Sequence, residues 1–173
     1  MPLHPEIVVR DAGVDDSDAI RELTLAAYGQ YSDRMAASAW AALLSAVHAA
    51  LSTDIHAQRI VAEQDGSILG SVLLFPQSED AYPGLPAHAQ RPEIRLLAVA
   101  PEARGLGIAR RLVDECIRRA KVSGAEAIGL HTSISMREAI QLYKTLGFRR
   151  DAANDIVLDG AELVESYQLD LKD

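Results

Sequence analysis

The stretch Pro101-Glu-Ala-Arg-Gly-Leu-Gly-Ile-Ala-Arg110 decides how this 173-residue chain is read. It joins an apolar run, Glu93-Ile-Arg-Leu-Leu-Ala-Val-Ala100, to an amphipathic run from Gly107 to Val122. In the second run Ile108, Leu112, Cys116 and Ala120 recur every four residues, with Arg110, Arg111, Asp114, Arg118 and Lys121 off that stripe. The first pattern predicts a strand and the second a helix with one buried face. Between them, Gly105 and Gly107 let the backbone turn sharply and leave its N–H groups unobstructed. Those groups lie at a helix N-terminus, where the dipole favours an anion. Arg104, Arg110 and Arg111 add positive charge, so the segment predicts a pyrophosphate cradle.

Two well-known phosphate loops do not fit. Gly-x-x-x-x-Gly-Lys-Ser/Thr is absent, and Gly105-x-Gly107 is followed by Arg110 where a dinucleotide-binding turn needs its third glycine. A third pattern does fit. Arg104-x-x-Gly107-x-Ala109, with Val99-x-Pro101 before it and Leu112-Val113 after it, resembles the Arg/Gln-x-x-Gly-x-Gly/Ala signature of the GNAT superfamily of N-acetyltransferases. Downstream, Ala139-Ile-Gln-Leu-Tyr-Lys-Thr-Leu-Gly-Phe148 resembles the family's Ala-x-x-x-Tyr-x-x-x-Gly-Phe motif. Val9-Arg-Asp-Ala-Gly-Val-Asp-Asp16 resembles its opening strand and acidic helix entry.

The rest of the chain is read outward from these motifs. Ile7–Arg10 predicts a strand, and Ile20, Leu23 and Ala27 predict a helix entered through Asp15, Asp16 and Asp18. Trp40, Leu43, Leu44, Val47 and Leu51 predict a second helix that packs on the sheet. Arg59–Glu63 and Ile68–Phe75 flank Asp65-Gly66, a hairpin signal. The proline-rich stretch from Pro76 to Pro92 predicts a loop. Ala127–Thr132 predicts a strand, Met136–Leu146 a helix ending at Gly147, and Phe148 and Leu163–Leu171 late strands. The order β-α-α-β-β-β-α-β-α-β-β predicts an α/β fold, with one domain over residues 1–173. Its mixed central sheet has about six to seven strands and helices on both faces. The resemblance adds that two strands, Glu93–Ala100 and Ala127–Thr132, splay apart at the cofactor site.

The resemblance implies acetyl-CoA as co-substrate, with no metal. Leu97, Ala98 and Val99 would offer backbone groups to pantetheine and the acetyl carbonyl. Backbone N–H groups of Arg104, Gly105, Leu106, Gly107, Ile108 and Ala109, with Arg110 beside them, would hold the pyrophosphate. The reaction implied is direct attack of a primary amine on the thioester. Tyr143 aligns with the family's general acid; a tyrosine hydroxyl has an unperturbed pKa of about 10 and keeps its proton near neutrality. Read without the motif, Tyr143 is a core residue beside Ile140 and Leu146. Glu93 matches a strand-start glutamate that some members use as base, with His131 or a water relay as the alternatives. Where many members place Asn, this chain has Met136; Ser133 or Ser135 could supply a polar contact to the cofactor. Tyr28, Tyr31 and the loop from Ser78 to Arg91 are where acceptor specificity is expected.

Composition sets the outer bounds. Hydrophobic residues make up 49% and the formal net charge is -8, which predicts a globular chain that binds neither nucleic acid nor anionic membrane. No apolar run is long enough to span a bilayer. The start lacks a signal peptide's basic and apolar regions, and the lone Cys116 fits a reducing cytosol; a cytoplasmic protein is expected. Cys116 lies on the apolar helical stripe, which predicts a buried thiol rather than a nucleophile. His4, His48, His56 and His88 have no metal-ligand spacing. The charge is uneven, with a net of -7 over residues 1–92, +5 over 93–150 and -6 over 151–173. The basic segment carries the glycine loop, which suits one CoA molecule, and the acidic N-terminal part predicts an acceptor site that favours a cationic amine. The acceptor is thus a small-molecule or peptide amine. Dimers are frequent in the family, so a homodimer is compatible, although no interface signature is visible. A non-catalytic acyl-CoA-binding module that senses the cofactor is the alternative function.

Overall fold

The hairpin signalled by Asp65-Gly66 forms as expected. Strand β2 (Gln58–Gln64) runs antiparallel to β3 (Ser67–Phe75), with both turn residues at positive φ. In a computed structural model that describes residues 5–52, 56–77, 81, 91–157 and 163–172, this hairpin sits inside one mixed sheet. The sheet also holds β1 (Val8–Asp11), β4 (Glu93–Val99), β5 (Ala127–Ser133), β6 (Arg149–Arg150), β7 (Ile156–Val157) and β8 (Leu163–Asp170). Its order is β1-β2-β3-β4-β5-β8-β6, with β7 also paired to β8. β6 and β7 are two-residue ladders, too short for an alternating pattern to announce.

Among the described residues four α-helices of several turns or more accompany it: α1 (Ser17–Tyr28), α2 (Ala37–Ala50), α3 (Ile108–Val122) and α4 (Arg137–Thr145). Strand β3 is buried continuously from Gly70 to Phe75, so both of its faces are covered. α1 packs on β3 and β4, and α3 on β2, β3 and β4. The stripe Ile108, Leu112, Cys116 and Ala120 is the buried face of α3, as its spacing predicts. Cys116 is fully buried, and burial pushes its thiol up to about 12, so it stays protonated and is not a nucleophile. The loop expected from Pro76 to Pro92 lies largely outside the described residues, and His4 and His88 lie wholly outside them.

The helix α3 is also tied to the sheet edge by charge. Glu115 accepts from Arg118 (2.7 Å) and Arg119 (2.8 Å), and Arg119 donates onward to Asp11 of β1 (2.6 Å). The Arg118 hydrogen bond, and then that of Arg119, hold the Glu115 carboxyl at about 2 against its usual 4.5. A depressed folded-state pKa stabilises fully above the unfolded value and is lost as pH falls through the folded one. Chemical denaturation should therefore show stability falling as pH drops from about 4.5 to about 2, and Glu115→Gln should flatten that part of the profile.

Two local devices shape the centre of the sheet. The parallel pairing of β4 with β5 is confined to Glu93↔Gly129 and Ile94↔Leu130, after which the strands part. Just beyond, β4 is bulged: Arg95 pairs with Leu73 and Ala98 with Ser71, so Leu96 and Leu97 together oppose the single residue Val72. Leu96 takes up the extra length at φ 53, a conformation costing a non-glycine residue about 1–2 kcal/mol. The bulge turns the backbone of Leu96 and Leu97 out of the β3 ladder and into the gap.

Candidate active site

Two cavities flank the bulge, with Leu96 in the wall of one and Leu97 in the wall of the other. The larger, about 350 Å3, runs along Leu97–Val99, passes Arg104, Gly105 and the start of α3, and is closed opposite by Tyr31, Glu138 and Leu142. The smaller, about 100 Å3, lies between α2 and the strands, with Leu96, Arg95, His131 and Met136 in its wall. Tyr28, at the end of α1, lines both. Burial pushes its hydroxyl well above the usual 10, so it remains a protonated donor at the junction.

The glycine loop has the properties of an anion cradle. Gly105 and Gly107 sit at φ 83 and φ 74, and a Cβ built on either would meet nothing within 4 Å, so the space above them is open. Gly107 is the N-cap of α3 and no side chain caps the helix. The first-turn N–H groups therefore point outward without intrahelical partners, and the field of the helix favours a phosphate there. Gly107→Val would force a β-branched residue into the left-handed region and cover the cradle. The expected result is a rise of about tenfold or more in the Kd for acetyl-CoA, measured by calorimetry.

Of the residues expected to hold cofactor, Leu97, Ala98, Val99, Arg104, Gly105, Gly107, Ile108, Ala109 and Arg110 line the larger cavity. Leu106 projects to solvent. Ser135 is in neither described lining; its N–H donates to Ser133 Oγ (3.2 Å), which steadies the turn into α4. Met136 lines the smaller cavity and accepts from Thr132 Oγ1 through sulfur (3.6 Å), so at the position of the family's Asn an apolar side chain faces the acceptor side. Tyr143 is in neither described lining; it is buried, 6% exposed, edge-on to Phe148 with ring centroids 5.8 Å apart, while its chain neighbour Leu142 lines the larger cavity. Tyr31 closes that cavity and stacks beneath Arg34, whose Nη1 donates to both carboxylate oxygens of Glu138 (2.9 and 3.0 Å). This pair clasps the segment after α1 to the start of α4.

Glu93 occupies a different setting from an exposed strand end. Its carboxylate and the His131 ring are both closed to solvent, with Nδ1 to Oε1 at 2.5 Å. His131 Nε2 lies 2.8 Å from the Asn154 carbonyl, which can only accept, so Nε2 carries a proton. Arg91 stands alongside, its Nε 3.7 Å from Glu93, donating to Asp151 (2.9 Å), Ser166 Oγ (2.9 Å) and Gln168. Its guanidinium lies on Gly129, where any Cβ would fall 2.0 Å from Arg91 Nε. The Arg91–Asp151–Ser166 cluster was not foreseen, because its members lie 60 and 75 residues from Arg91 and share no local pattern.

Of the acidic N-terminal residues expected to favour a cationic amine, Asp11, Asp16 and Glu63 are paired with Arg119 and Arg10, and Asp54, Glu79 and Asp80 lie outside the described residues. Among its described lining residues the smaller cavity has no carboxylate. Nor does α2 serve the core alone, since Ala39, Ala42, Leu43 and Ala46 wall this cavity.

A glycine loop at a helix N-terminus, opening onto a parted strand pair, is an anion-binding turn beside a cleft. Residues 18–148 match the model of the acetyltransferase (GNAT) family, and the chain belongs to that family. It is 34% identical over 99 residues to a mycothiol acetyltransferase of Cellulomonas flavigena, a match covering 55% of this chain and 27% of the relative. It is 33% identical over 93 residues to an N-alpha-acetyltransferase of Sulfurisphaera tokodaii, covering 51% and 54%. The chain thus spans about a quarter to a half of the length of these curated relatives. Among solved structures, a GNAT family acetyltransferase from Staphylococcus aureus superposes with TM-score 0.67 at 18% identity, covering 96% of this chain and all of that one. A GNAT family acetyltransferase from Brucella melitensis in complex with acetyl-CoA superposes with TM-score 0.64 at 21% identity, covering 98% and 91%. Among the described residues no helix is long and apolar enough to cross a membrane, and no cluster of three metal-ligating side chains occurs.

Proposed function

We propose that this chain is an N-acetyltransferase domain that passes the acetyl group of acetyl-CoA to a primary amine by direct attack, working in the cytosol. The observation that carries this reading is the placing of two cavities at the β4 bulge, where adjacent residues Leu96 and Leu97 line one each: a larger one with an anion cradle, and a smaller one against α2. Pyrophosphate would sit on the N–H groups at the start of α3, and the pantetheine arm along Leu97–Val99. The N–H groups that the bulge turns out of the ladder would face the thioester carbonyl. Donors held where negative charge develops are worth more than donors that must reorganise.

The amine enters from the smaller cavity. Its nitrogen forms the new C–N bond, and the resulting tetrahedral oxyanion collapses with loss of the C–S bond. Tyr143 protonates the departing sulfur. The nitrogen's proton passes through a water toward the sealed His131–Glu93 pair, since neither side chain reaches solvent. Incubation with acetyl-CoA and a panel of primary amines should release free thiol and yield the acetylated amine by mass spectrometry. Tight acetyl-CoA binding without thiol release across the panel would overturn this reading in favour of a non-catalytic acyl-CoA sensor.

A further inference from the structure

The smaller cavity carries information about the acceptor itself. Leu43, Leu96, Met35, Met136 and Val164 present apolar groups into it, and Ala39, Ala42 and Ala46 floor it along α2. The alanines recur at helical spacing, so one face of α2 is kept short opposite the gap. Polar groups come from Arg95 of β4, from His131, Thr132 and Ser133 of β5, and from Tyr28 at the end of α1. Arg95 Nη1 donates to the Ala81 carbonyl (2.7 Å), which holds its guanidinium in place at the wall. The wall that α2 supplies is therefore apolar, while β4 and β5 supply most of the polar groups.

Its size narrows the choice. An apolar cavity of roughly 150 Å3 takes a benzene, so about 100 Å3 suits a branched aliphatic group of about four carbons. A second ammonium in that space would face Arg95 and a row of methyl groups, with no carboxylate among the described lining residues. Buried charge without a partner is strongly disfavoured.

We infer that the acceptor is a monoamine whose reactive nitrogen is attached to a compact, branched aliphatic body, which fills the cavity between α2 and the parted strands. Polyamines, and amines carried on large polar rings, fit this cavity poorly. The inference rests on the N-acetyltransferase reading above and specifies the substrate class for the same site.

The test measures kcat/KM by thiol release for methylamine, isobutylamine, isoamylamine, n-octylamine and spermidine. From methylamine to isoamylamine, each added carbon should raise kcat/KM about threefold to fourfold, the worth of one buried methylene. n-Octylamine should fall below isoamylamine because it overfills the space. Spermidine should lie about a hundredfold or more below isoamylamine, because its further charges find no partner. Ala46→Phe and the half-buried Ala42→Leu fill the cavity. Each should lower the isoamylamine-to-methylamine ratio about tenfold, with acetyl-CoA affinity measured alongside to confirm folding. A flat response to the aliphatic body, or spermidine equal to or better than isoamylamine, would overturn the inference and leave the N-acetyltransferase reading standing. Thiol release from no amine, with acetyl-CoA still bound, would overturn that reading and this one together.

Discussion

Tyr143→Phe is expected to lower kcat by about a hundredfold, the lower range for loss of a general acid, while the Kd for acetyl-CoA changes by no more than about twofold. The asymmetry follows from where the ring sits. Tyr143 is buried at the end of α4, edge-on to Phe148, with Leu142 beside it in the wall of the larger cavity. Phenylalanine keeps that ring packing, so the cavity wall and the cradle at Gly105 and Gly107 stay in place. Only the hydroxyl is lost, and with it the proton offered to the departing sulfur. Stopped-flow measurement of thiol release, paired with calorimetry on acetyl-CoA, separates the two effects. Unchanged turnover would assign Tyr143 to the core, the reading that its spacing with Ile140 and Leu146 supports without the motif.

Glu93→Ala is expected to cost about 3–5 kcal/mol of folding stability, the range for removing one partner of a buried ion pair. For a chain of this size that is a fall in Tm of roughly 10 °C. The carboxylate is sealed between His131 at 2.5 Å and Arg91 at 3.7 Å, and neither neighbour can turn to water: the His131 ring is closed to solvent and the Arg91 side chain is 2% exposed. Glu93→Gln keeps the shape and can still accept from Arg91 or donate to the ring, so its stability loss should be clearly smaller. The same variant reads out catalysis. If the pair receives the ammonium proton, Glu93→Gln lowers kcat by about a hundredfold while acetyl-CoA affinity holds. An unchanged kcat would assign Glu93 to structure alone.

These two residues show how unequally the chain discloses itself. Tyr143 and the glycine loop belong to contiguous motifs, because a helix entry and a single helical turn are local objects with fixed spacing. The same locality made the β2–β3 hairpin and the buried face of α3 legible, since a two-residue turn and a four-residue stripe are complete within a short window. Glu93 could be named from its place at a strand start, but not its circumstances. Its partners His131 and Arg91 lie on other elements, and the Asp151 and Ser166 that hold Arg91 come from chain 60 and 75 residues away. Long-range polar contacts of this kind have no period for a sequence to display.

The acceptor side shows the limit most clearly. Charge summed along residues 1–92 says nothing of pairing: the fold turns Asp11, Asp16 and Glu63 toward Arg119 and Arg10, and the described lining of the smaller cavity includes alanine, leucine and methionine. By itself the sequence determined the order of the helices and the longer strands, the anion-binding turn and the family, because each rests on neighbours along the chain. The tertiary structure alone decided at which residues β4 and β5 part, that the bulge falls at Leu96, and which side chains line the cavities beside it. Those properties depend on which side chains meet across the sheet, and register and packing set them only once the whole chain has closed.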